Sequence, residues 1–360
     1  MVIKKRVYIC GLTPSGEMHL GHIRLYCCMS FFTNLLFIKS RTHLQIVSNF
    51  TDIDPKIQEE AERRKITQKE LVTAVKEDFY RTLVKFDLRL PTKVYSVTEN
   101  LEKISKFHNQ IPKKYFEERE EGTYFEFKNL PAEEYLAKED KKNFLLWDKR
   151  TNLPGWHTEC ATFVFSGFRE EGVDFHFSGV DLKFPHNENE SLLFKLVTKN
   201  KLSKQWFFVG PLNKDQEKMS KTRKNYILGK DFPSSKIQAF KFFLLQKSFF
   251  KPLEYSEEEI LKHGIFLEKI NLRFKNYFLE KTLVYSSFSS KLSEYLLELS
   301  EELYRKNFRI AFLNFSKIPL IFKRPSFLEK REISSFFLYF NKVCLGILSL
   351  DLSVFREQFF

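Results

Sequence analysis

The first part of the chain holds the pattern that most restricts its fold. Residues 7–11 form an apolar run typical of a short buried strand, residues 13–16 indicate a turn, and residues 19–37 carry apolar side chains at helical spacing. A second strand is predicted at residues 43–50. Strand, turn, helix and strand in this order form a βαβ unit, whose two strands lie parallel. The sequence therefore predicts an α/β protein built on a parallel sheet.

The rest of the chain divides by its residue pattern. Strand-like sequence resumes near residues 173–177 and 206–209 and is predicted to continue the sheet. A Lys- and Glu-rich stretch before it is predicted to be an insertion, and the pattern towards the end is helical. The predicted divisions are the first half of the sheet domain, a connective insertion, the second half and a helical bundle, at residues 1–89, 90–150, 151–232 and 233–360.

Composition excludes several classes of protein. Hydrophobic residues make up 43% and charged residues 29% of the 360 residues, which is typical of a globular protein and excludes a disordered one. The apolar stretch at residues 25–37 is broken by Ser30, Thr33 and Asn34 and falls short of the roughly 20 apolar residues of a membrane span. Five cysteines form a sparse, odd set. With no export signal in view, that set indicates a reducing compartment, the cytoplasm.

The charge of the chain is unevenly distributed. The formal net charge is +13, which favours a polyanionic partner. Residues 195–251 hold 14 Lys and Arg against 3 Asp and Glu, so most of the surplus lies in this one region. The pattern predicts a local surface for nucleic acid rather than a generally basic protein.

The turn after the first predicted strand leads into a sequence suited to phosphate. Residues 13–22 read Thr-Pro-Ser-Gly-Glu-Met-His-Leu-Gly-His. A helix N-terminus presents free N–H groups and a partial positive charge, so it binds phosphate. His19 and His22 share one face of the first turn, and Gly21 leaves room for a flat base. Taken alone, the two histidines also fit an ordinary surface or core pair.

A second polar loop lies far along the chain. Residues 218–222 read Lys-Met-Ser-Lys-Thr, and the mobile charges of Lys218 and Lys221 can fold over a triphosphate. Taken alone, such a run is usually a solvated loop. Together and in this order, the two motifs resemble the HIGH and KMSKS signatures of class I aminoacyl-tRNA synthetases. The joint match is far more specific than either part.

A third set of residues offers ligands for a metal. Cys10 ends the first strand, Cys160 lies in a predicted helix, and His186 and Glu190 are four residues apart on one helical face. Two thiolates, an imidazole and a carboxylate suit zinc. No C-x-x-C pair supports the set, so the spacing leaves open that Cys10 is a core cysteine and Glu190 a surface charge.

Further blocks resemble cysteinyl-tRNA synthetase in their order along the chain. They include Tyr-Ile-Cys-Gly-Leu-Thr, Phe-Leu-Leu-Trp-Asp-Lys, Gly-Trp-His-Thr-Glu-Cys and Phe-Pro-His-Asn-Glu-Asn-Glu. The blocks lie at residues 8–13, 49–57, 144–149, 155–160, 174–182, 184–190 and 251–258. The resemblance covers roughly residues 5–260. It implies a class I synthetase Rossmann-type parallel sheet with an inserted subdomain, followed by an α-helical bundle.

The resemblance also implies roles for named residues and partners. One zinc ion per chain would be held by Cys10, Cys160, His186 and Glu190, and the cysteine pocket would be lined by Thr51, Trp156 and His176. ATP would be bound by Gly21, Asp181 and Lys221. The residues that act in catalysis would be His19, His22, Lys218 and Lys221. The implied reaction joins L-cysteine to tRNA-Cys through a cysteinyl-adenylate, with Mg²⁺ accompanying ATP and with the chain acting as a monomer. Because zinc prefers a thiolate to a hydroxyl, serine would be rejected at binding, and no editing domain is expected.

The sequence departs from this family in three places. The turn at residues 14–18 reads Pro-Ser-Gly-Glu-Met where the family has Val-Tyr-Asp, and residues 223–225 read Arg-Lys-Asn instead of Leu-Gly-Asn. Residues 304–308 replace an Asp-rich turn, and the anticodon-binding domain is expected to be absent. Two other functions stay open: the cysteine ligase of mycothiol-type biosynthesis, which joins cysteine to an amino sugar, and a catalytically inactive RNA-binding paralogue.

Overall fold

The structure of the chain is a computed structural model that describes residues 4–40, 42–131, 142–221, 223–245 and 248–279. Most of the predicted bundle at residues 233–360, including the departure at residues 304–308, lies outside the described residues. Among those residues, no helix has the length and apolar content needed to cross a membrane.

The centre of the fold is a five-stranded parallel sheet, which confirms the α/β prediction. Its strands, in spatial order, are β3 (Lys93–Ser96), β2 (His43–Phe50), β1 (Lys4–Ile9), β8 (Val173–Gly179) and β9 (Ser203–Val209). Each neighbouring pair runs parallel. Strand β1 is central, with Val7 opposite Ile46 on one side and Phe175 on the other.

The side chains of β1 alternate between two apolar cores, because successive residues of a strand point to opposite faces. Val7 and Ile9 belong to the core that contains α1 (Leu20–Ser40), whereas Tyr8 and Cys10 belong to the core that contains α5 (Trp156–Phe168) and α6 (Glu188–Thr198). The helices are α1 (Leu20–Ser40), α2 (Pro55–Arg64), α3 (Gln68–Lys85), α4 (Val97–His108), α5 (Trp156–Phe168), α6 (Glu188–Thr198), α7 (Ile237–Leu244) and α8 (Glu257–Leu279). A sheet covered on both faces in this way has its ligand site at the carboxyl ends of its strands.

Phenylalanine fills much of the core next to α1. The rings of Phe32, Phe177 and Phe207 form a mutual cluster, with centroids 4.4 Å apart for Phe177 and Phe207 and 4.5 Å apart for Phe32 and Phe207. All three are buried. Large rigid rings stabilise a core through the apolar area that they bury.

Local sequence explains where the two helices after β2 begin. Asp54 caps α2 by accepting a hydrogen bond from the backbone N–H of Lys56, and Pro55 occupies the first helical position. Thr67 and Glu70 form a reciprocal capping box at the start of α3. These caps set the first residues of α2, the helix that carries Arg64, and of α3.

Two smaller sheets complete the described structure. Strands β4 (Phe116–Glu118), β5 (Gly122–Phe125), β6 (Phe144–Asp148) and β7 (Leu153–Pro154) form an antiparallel sheet. Strands β10 (Leu212–Lys214), β11 (Glu217–Lys218) and β12 (Leu253–Glu254) form the other. Strand β3 lies inside the range 90–150 yet pairs with the main sheet. The domain boundaries stay predictions.

Candidate active site and metal centre

The structure brings the four predicted metal ligands together. Cys10 directly follows β1, Cys160 lies in α5, His186 lies in the turn before α6, and Glu190 lies in the first turn of α6. One donor atom from each lies within 4.8 Å of the others. Three separate segments thus converge on one point at the carboxyl end of the parallel sheet.

Glu190 is the most constrained member of this cluster. Its side chain is fully buried, and Oε1 lies 2.7 Å from His176 Nε2 and 3.0 Å from Asn187 Nδ2. Oε2 lies 3.6 Å from His186 Nε2 and has no hydrogen-bond donor among the described residues. Burial would raise the pKa of Glu190, but His176 and His186 outweigh it and lower the pKa. A buried, ionised carboxylate with one oxygen that accepts no hydrogen bond among the described residues is a group that a cation would complete.

The thiols and the imidazole complete a donor set that fits zinc. A hydrogen bond between the two sulfurs lowers the pKa of Cys160 and raises that of Cys10. Burial lowers the pKa of His186, but the Cys160 thiolate and the Glu190 carboxylate outweigh it and raise the pKa above its ordinary value. Two sulfurs, one imidazole and one carboxylate correspond to the ligand types and the number of ligands that zinc takes.

Asn187 belongs to this centre, although the sequence analysis did not assign it. Its Nδ2 donates to Glu190 Oε1 at 3.0 Å and to Cys10 Sγ at 3.6 Å, and its Oδ1 accepts from Ser178 Oγ at 2.8 Å. The amide therefore orients two ligands at once, as a hydrogen-bond partner behind a metal ligand does. The sequence signal that could have identified Asn187 is its position between the predicted ligands His186 and Glu190.

The three predicted pocket residues occupy different environments around the cluster. Thr51 follows β2, and its Oγ1 donates to Glu159 Oε2 at 3.1 Å. Trp156 is the first residue of α5 and is 50% exposed. The ring of His176 is fully buried in β8 and contacts Glu190, so it supports the carboxylate from behind. The assignment of these residues to a cysteine pocket stays a prediction.

The two histidines of the first motif stack on each other at the start of α1. Their ring centroids lie 3.8 Å apart, and the backbone N–H of Gly21 donates to His19 Nδ1 at 3.1 Å. A Cβ on Gly21 would lie 2.8 Å from His19 Cε1, so a larger residue would displace the ring. Burial, together with the charges of Lys221 and Lys218, lowers the pKa of His19 to about 4. The imidazole of His19 is therefore neutral at pH 7.

Lys221 and residues 227–229 pack against the first motif, from which they are separated by about two hundred residues of sequence. The backbone N–H of Leu20 donates to the carbonyl of Ile227 at 2.9 Å, and that of Gly229 donates to Met18 at 2.8 Å. Lys221 crosses the turn so closely that a Cβ on Gly16 would lie 2.6 Å from Nζ. Burial lowers the pKa of Lys221 to about 8.

The second predicted lysine and the predicted nucleotide-binding aspartate contact each other. Lys218 Nζ lies 2.8 Å from Asp181 Oδ2, and Asp181 follows β8 at the carboxyl edge of the sheet. Thr222 of the motif lies outside the described residues. The structure thus gathers the motif lysines, both histidines and Asp181 at one edge of the sheet.

Two more polar residues were missed from sequence: Asn225, which holds this loop, and Arg24, which holds segments beside the small sheet of β10, β11 and β12. Asn225 Oδ1 accepts from the backbone N–H of Ser220 at 2.9 Å, and Nδ2 donates at 3.3 Å to three backbone carbonyls of β10 and β11, those of Lys214, Glu217 and Lys218. Arg24 is fully buried in α1 and donates to the carbonyls of Pro211 and Lys251. The signal for Arg24 was a charged residue in the largely apolar first half of α1.

Comparison with known proteins places this geometry in a family. The family model described as "tRNA synthetases class I (C) catalytic domain" matches residues 2–150 and 135–264. The chain is 31% identical to the cysteine--tRNA ligase of Mycoplasmopsis pulmonis over 88% of its length, and it spans 59% of that relative. It is also 31% identical to the cysteine--tRNA ligase of Mesomycoplasma hyopneumoniae, with 76% of the chain and 75% of the relative aligned.

A solved structure agrees with this at the level of the fold. The ternary complex of LeuRS, tRNA and LeuAMS from Agrobacterium radiobacter superposes with a TM-score of 0.76 at 7% identity, covering 96% of this chain and 84% of that one. The parallel sheet, the two packed motifs and the sequence matches lead to one assignment. The chain belongs to the family of class I tRNA synthetase catalytic domains of the cysteine type.

Proposed function

We propose that this chain ligates L-cysteine to tRNA-Cys through a cysteinyl-adenylate. The observation that carries the proposal is the convergence of Cys10, Cys160, His186 and Glu190 within 4.8 Å. That donor set lies at the same edge of the sheet as the two packed nucleotide motifs. The metal-ligand cluster can hold the sulfur of cysteine, and the two motifs beside it can hold the triphosphate of ATP. This arrangement suits the activation of cysteine by ATP.

The metal centre accounts for the choice of amino acid. The unpaired Oε2 of Glu190 and the two sulfurs fit zinc, with one ion per chain. Bound zinc would supply a soft Lewis acid that holds the substrate as its thiolate and leaves serine without an equivalent ligand. His176 and Asn187 orient Glu190, and Asn187 also orients Cys10.

The first chemical step is an in-line displacement. The carboxylate of cysteine attacks the α-phosphate of Mg²⁺-bound ATP, a new C–O–P linkage forms, and the bond to pyrophosphate breaks. Lys218 and Lys221 stabilise the charge that develops on the phosphates, and the neutral imidazoles of His19 and His22 each offer one N–H. Gly21 and Asp181 bind the nucleotide. The protein mainly positions reactants, a contribution that can reach many orders of magnitude.

In the second step, a ribose hydroxyl of the terminal adenosine of tRNA attacks the carbonyl carbon of the adenylate. The ester forms, AMP leaves, and the hydroxyl proton is released. The basic region at residues 195–251, with 14 Lys and Arg against 3 acids, supports an RNA acceptor over an amino sugar. We place the reaction in protein biosynthesis in the cytoplasm, with the chain acting as a monomer.

Two measurements test the proposal. Pyrophosphate exchange that depends on cysteine, with zinc-loaded protein, tests activation; its absence would support the inactive RNA-binding alternative. Charging of tRNA-Cys is then compared with coupling of cysteine to an amino sugar under the same conditions. Charging is the expected outcome, and coupling without charging would assign the chain to the mycothiol-type ligases.

A further inference from the structure

A carboxylate outside the predicted site lies between the two signature motifs. Glu17 is in the turn before α1, in the segment where this sequence departs from its family. Its Oε2 accepts from Arg64 Nη2 at 2.8 Å, and its Oε1 accepts from Lys230 Nζ at 2.7 Å. Arg64 ends α2, and Lys230 follows the loop that carries Lys221. One side chain therefore joins three segments that are distant in sequence.

This contact is more buried than an ordinary surface ion pair and has a forked geometry. The Glu17 side chain is 16% exposed, and Arg64 reaches both of its oxygens, with the second contact at 3.3 Å. Arg64 is itself held by Glu60, whose Oε1 lies 2.6 Å from Nε. Arg64 and Lys230 hold the pKa of Glu17 well below its usual range. Fork-shaped, partly buried pairs of this kind carry geometric specificity that exposed pairs lack.

The contact also lies next to the lysine that the reaction needs. Lys221 Nζ passes over Gly16, the neighbour of Glu17. Glu17, Arg64 and Lys221 line the same open cleft of about 840 Å³. Without the Glu17 carboxylate, Lys230 would lose this ion pair and Arg64 would keep its contact with Glu60. The cleft beside the ammonium of Lys221 would then carry one negative charge fewer, and the greater repulsion between cations would push the loop away.

We propose that Glu17 is a positioning residue that latches the downstream end of the KMSKT loop to the turn before His19. The latch sets the position from which Lys221 reaches the triphosphate. Its catalytic consequence rests on the proposed function, whereas the latch itself is a property of the free chain. The backbone bonds of Met18 and Leu20 to residues 227–229 remain when the carboxylate is lost, so its removal shifts the loop without unfolding the protein.

The test compares Glu17→Gln with Glu60→Gln. Both changes remove one carboxylate from Arg64, but of these two glutamates it is Glu17 that also accepts from Lys230 Nζ. Amide hydrogen exchange in the peptide spanning residues 218–230 reports on the latch in the free protein. We expect Glu17→Gln to speed this exchange several-fold and Glu60→Gln to leave it unchanged, because local opening sets the rate.

The kinetic arm measures pyrophosphate exchange that depends on cysteine. Glu17→Gln is expected to lower kcat on the order of tenfold to hundredfold, the cost of a small misplacement, while KM for cysteine stays within about twofold. Adding Lys230→Gln to Glu17→Gln should cost little more, because the two residues act through one contact.

Two results would overturn the proposal. Equal rates of amide hydrogen exchange at residues 218–230 in Glu17→Gln and Glu60→Gln would show that Glu17 does not hold the loop in place. A rise in KM for cysteine as large as the fall in kcat would show a general structural role. If the unaltered chain showed no exchange with cysteine, the proposed function would fail, and the hydrogen-exchange arm would still decide the role of Glu17.

Discussion

At the scale of single residues, the candidate metal centre has four protein ligands, so the loss of one should weaken metal binding strongly. Cys160 is the ligand contributed by α5, and its sulfur lies within 4.8 Å of the other three donor atoms. Replacing it by serine exchanges a soft ligand for a hydroxyl that zinc binds poorly. We expect Cys160→Ser to lower zinc content from about one ion per chain towards zero and to weaken the preference for cysteine over serine.

Metal analysis of the purified variant checks this expectation. Cys27→Ser is the matched control, because Cys27 is equally buried but lies in α1, outside the cluster. The control should keep its zinc. Unchanged zinc content in Cys160→Ser would refute the proposed set of ligands.

His19 gives the stability of the protein a defined pH dependence. Its pKa is lowered to about 4 in the folded chain, mainly by burial and then by Lys221 and Lys218, against an ordinary value of about 6.5 when unfolded. Between pH 4 and pH 6.5, His19 is protonated in the unfolded chain but neutral in the folded chain. The contribution of His19 to the free energy of unfolding is therefore complete above pH 6.5 and is lost as the pH falls towards 4.

The variant His19→Gln removes this contribution. Urea unfolding at pH 7 and at pH 5 gives the free energy of unfolding that each protein loses as the pH falls. The variant should lose less than the unaltered chain, and the difference between the two losses should be about 2 kcal/mol at most. Above pH 7 the two proteins should respond to pH alike. The same loss in both proteins between pH 7 and pH 5 would contradict a neutral, buried His19.

At the scale of elements, local sequence predicts the strands and helices whose patterns are complete. The predicted helix at residues 19–37 is α1, which begins at Leu20, and the predicted strand at residues 43–50 matches β2. Strand β3 escaped prediction because it is four residues long and lies in a charged stretch. Its place at the edge of the sheet is set by pairing with β2, which is a long-range contact.

The sequence predicted the helices and strands better than it predicted which residues meet in the candidate site. Spacing placed His186 and Glu190 on one face, and the observed distance of 3.6 Å agrees with this. Cys10 and Cys160 are 150 positions apart, so only the family resemblance could associate them. Glu17 and Arg64 meet through the packing of α2 against a turn, for which the sequence carries no periodic signal.

Arg24 ties α1 to the small sheet formed by β10, β11 and β12. Its guanidinium is fully buried and donates to the carbonyls of Pro211 and Lys251, which lie beside β10 and β12. Arg24→Met would remove the guanidinium donor from both partly buried carbonyls, of which that of Pro211 also accepts from the backbone N–H of Leu253 at 3.0 Å. We expect the free energy of unfolding to fall by about 2 kcal/mol.

Urea denaturation followed by circular dichroism measures this effect. Arg81→Met provides the control, because Arg81 is exposed on α3 and pairs only with Glu77 among the described residues. Its expected cost is below about 0.5 kcal/mol. Equal stability of the two variants would mean that Arg24 does not hold the small sheet to α1.

At the scale of the whole molecule, the charge distribution predicts where RNA binds. The surplus at residues 195–251 amounts to 11 of the net charge of 13. Each lysine that neutralises a phosphate releases a counterion, so the affinity for tRNA should fall steeply with salt, whereas activation of cysteine should not. This difference separates the RNA-binding step from the chemistry that precedes it.

A pair of double variants with equal changes in charge tests the location. Lys201→Gln with Lys251→Gln removes two exposed cations from the basic region, and Lys4→Gln with Lys69→Gln removes two exposed cations elsewhere. The double variant in the basic region should make the negative slope of log affinity against log salt shallower by about one to two. The reason is that each lost phosphate contact decreases the magnitude of this slope by about one. The second pair should leave the slope unchanged. Filter binding of tRNA-Cys at several salt concentrations measures both slopes, and equal slopes would mean that RNA responds to the total charge of the chain instead of to this surface.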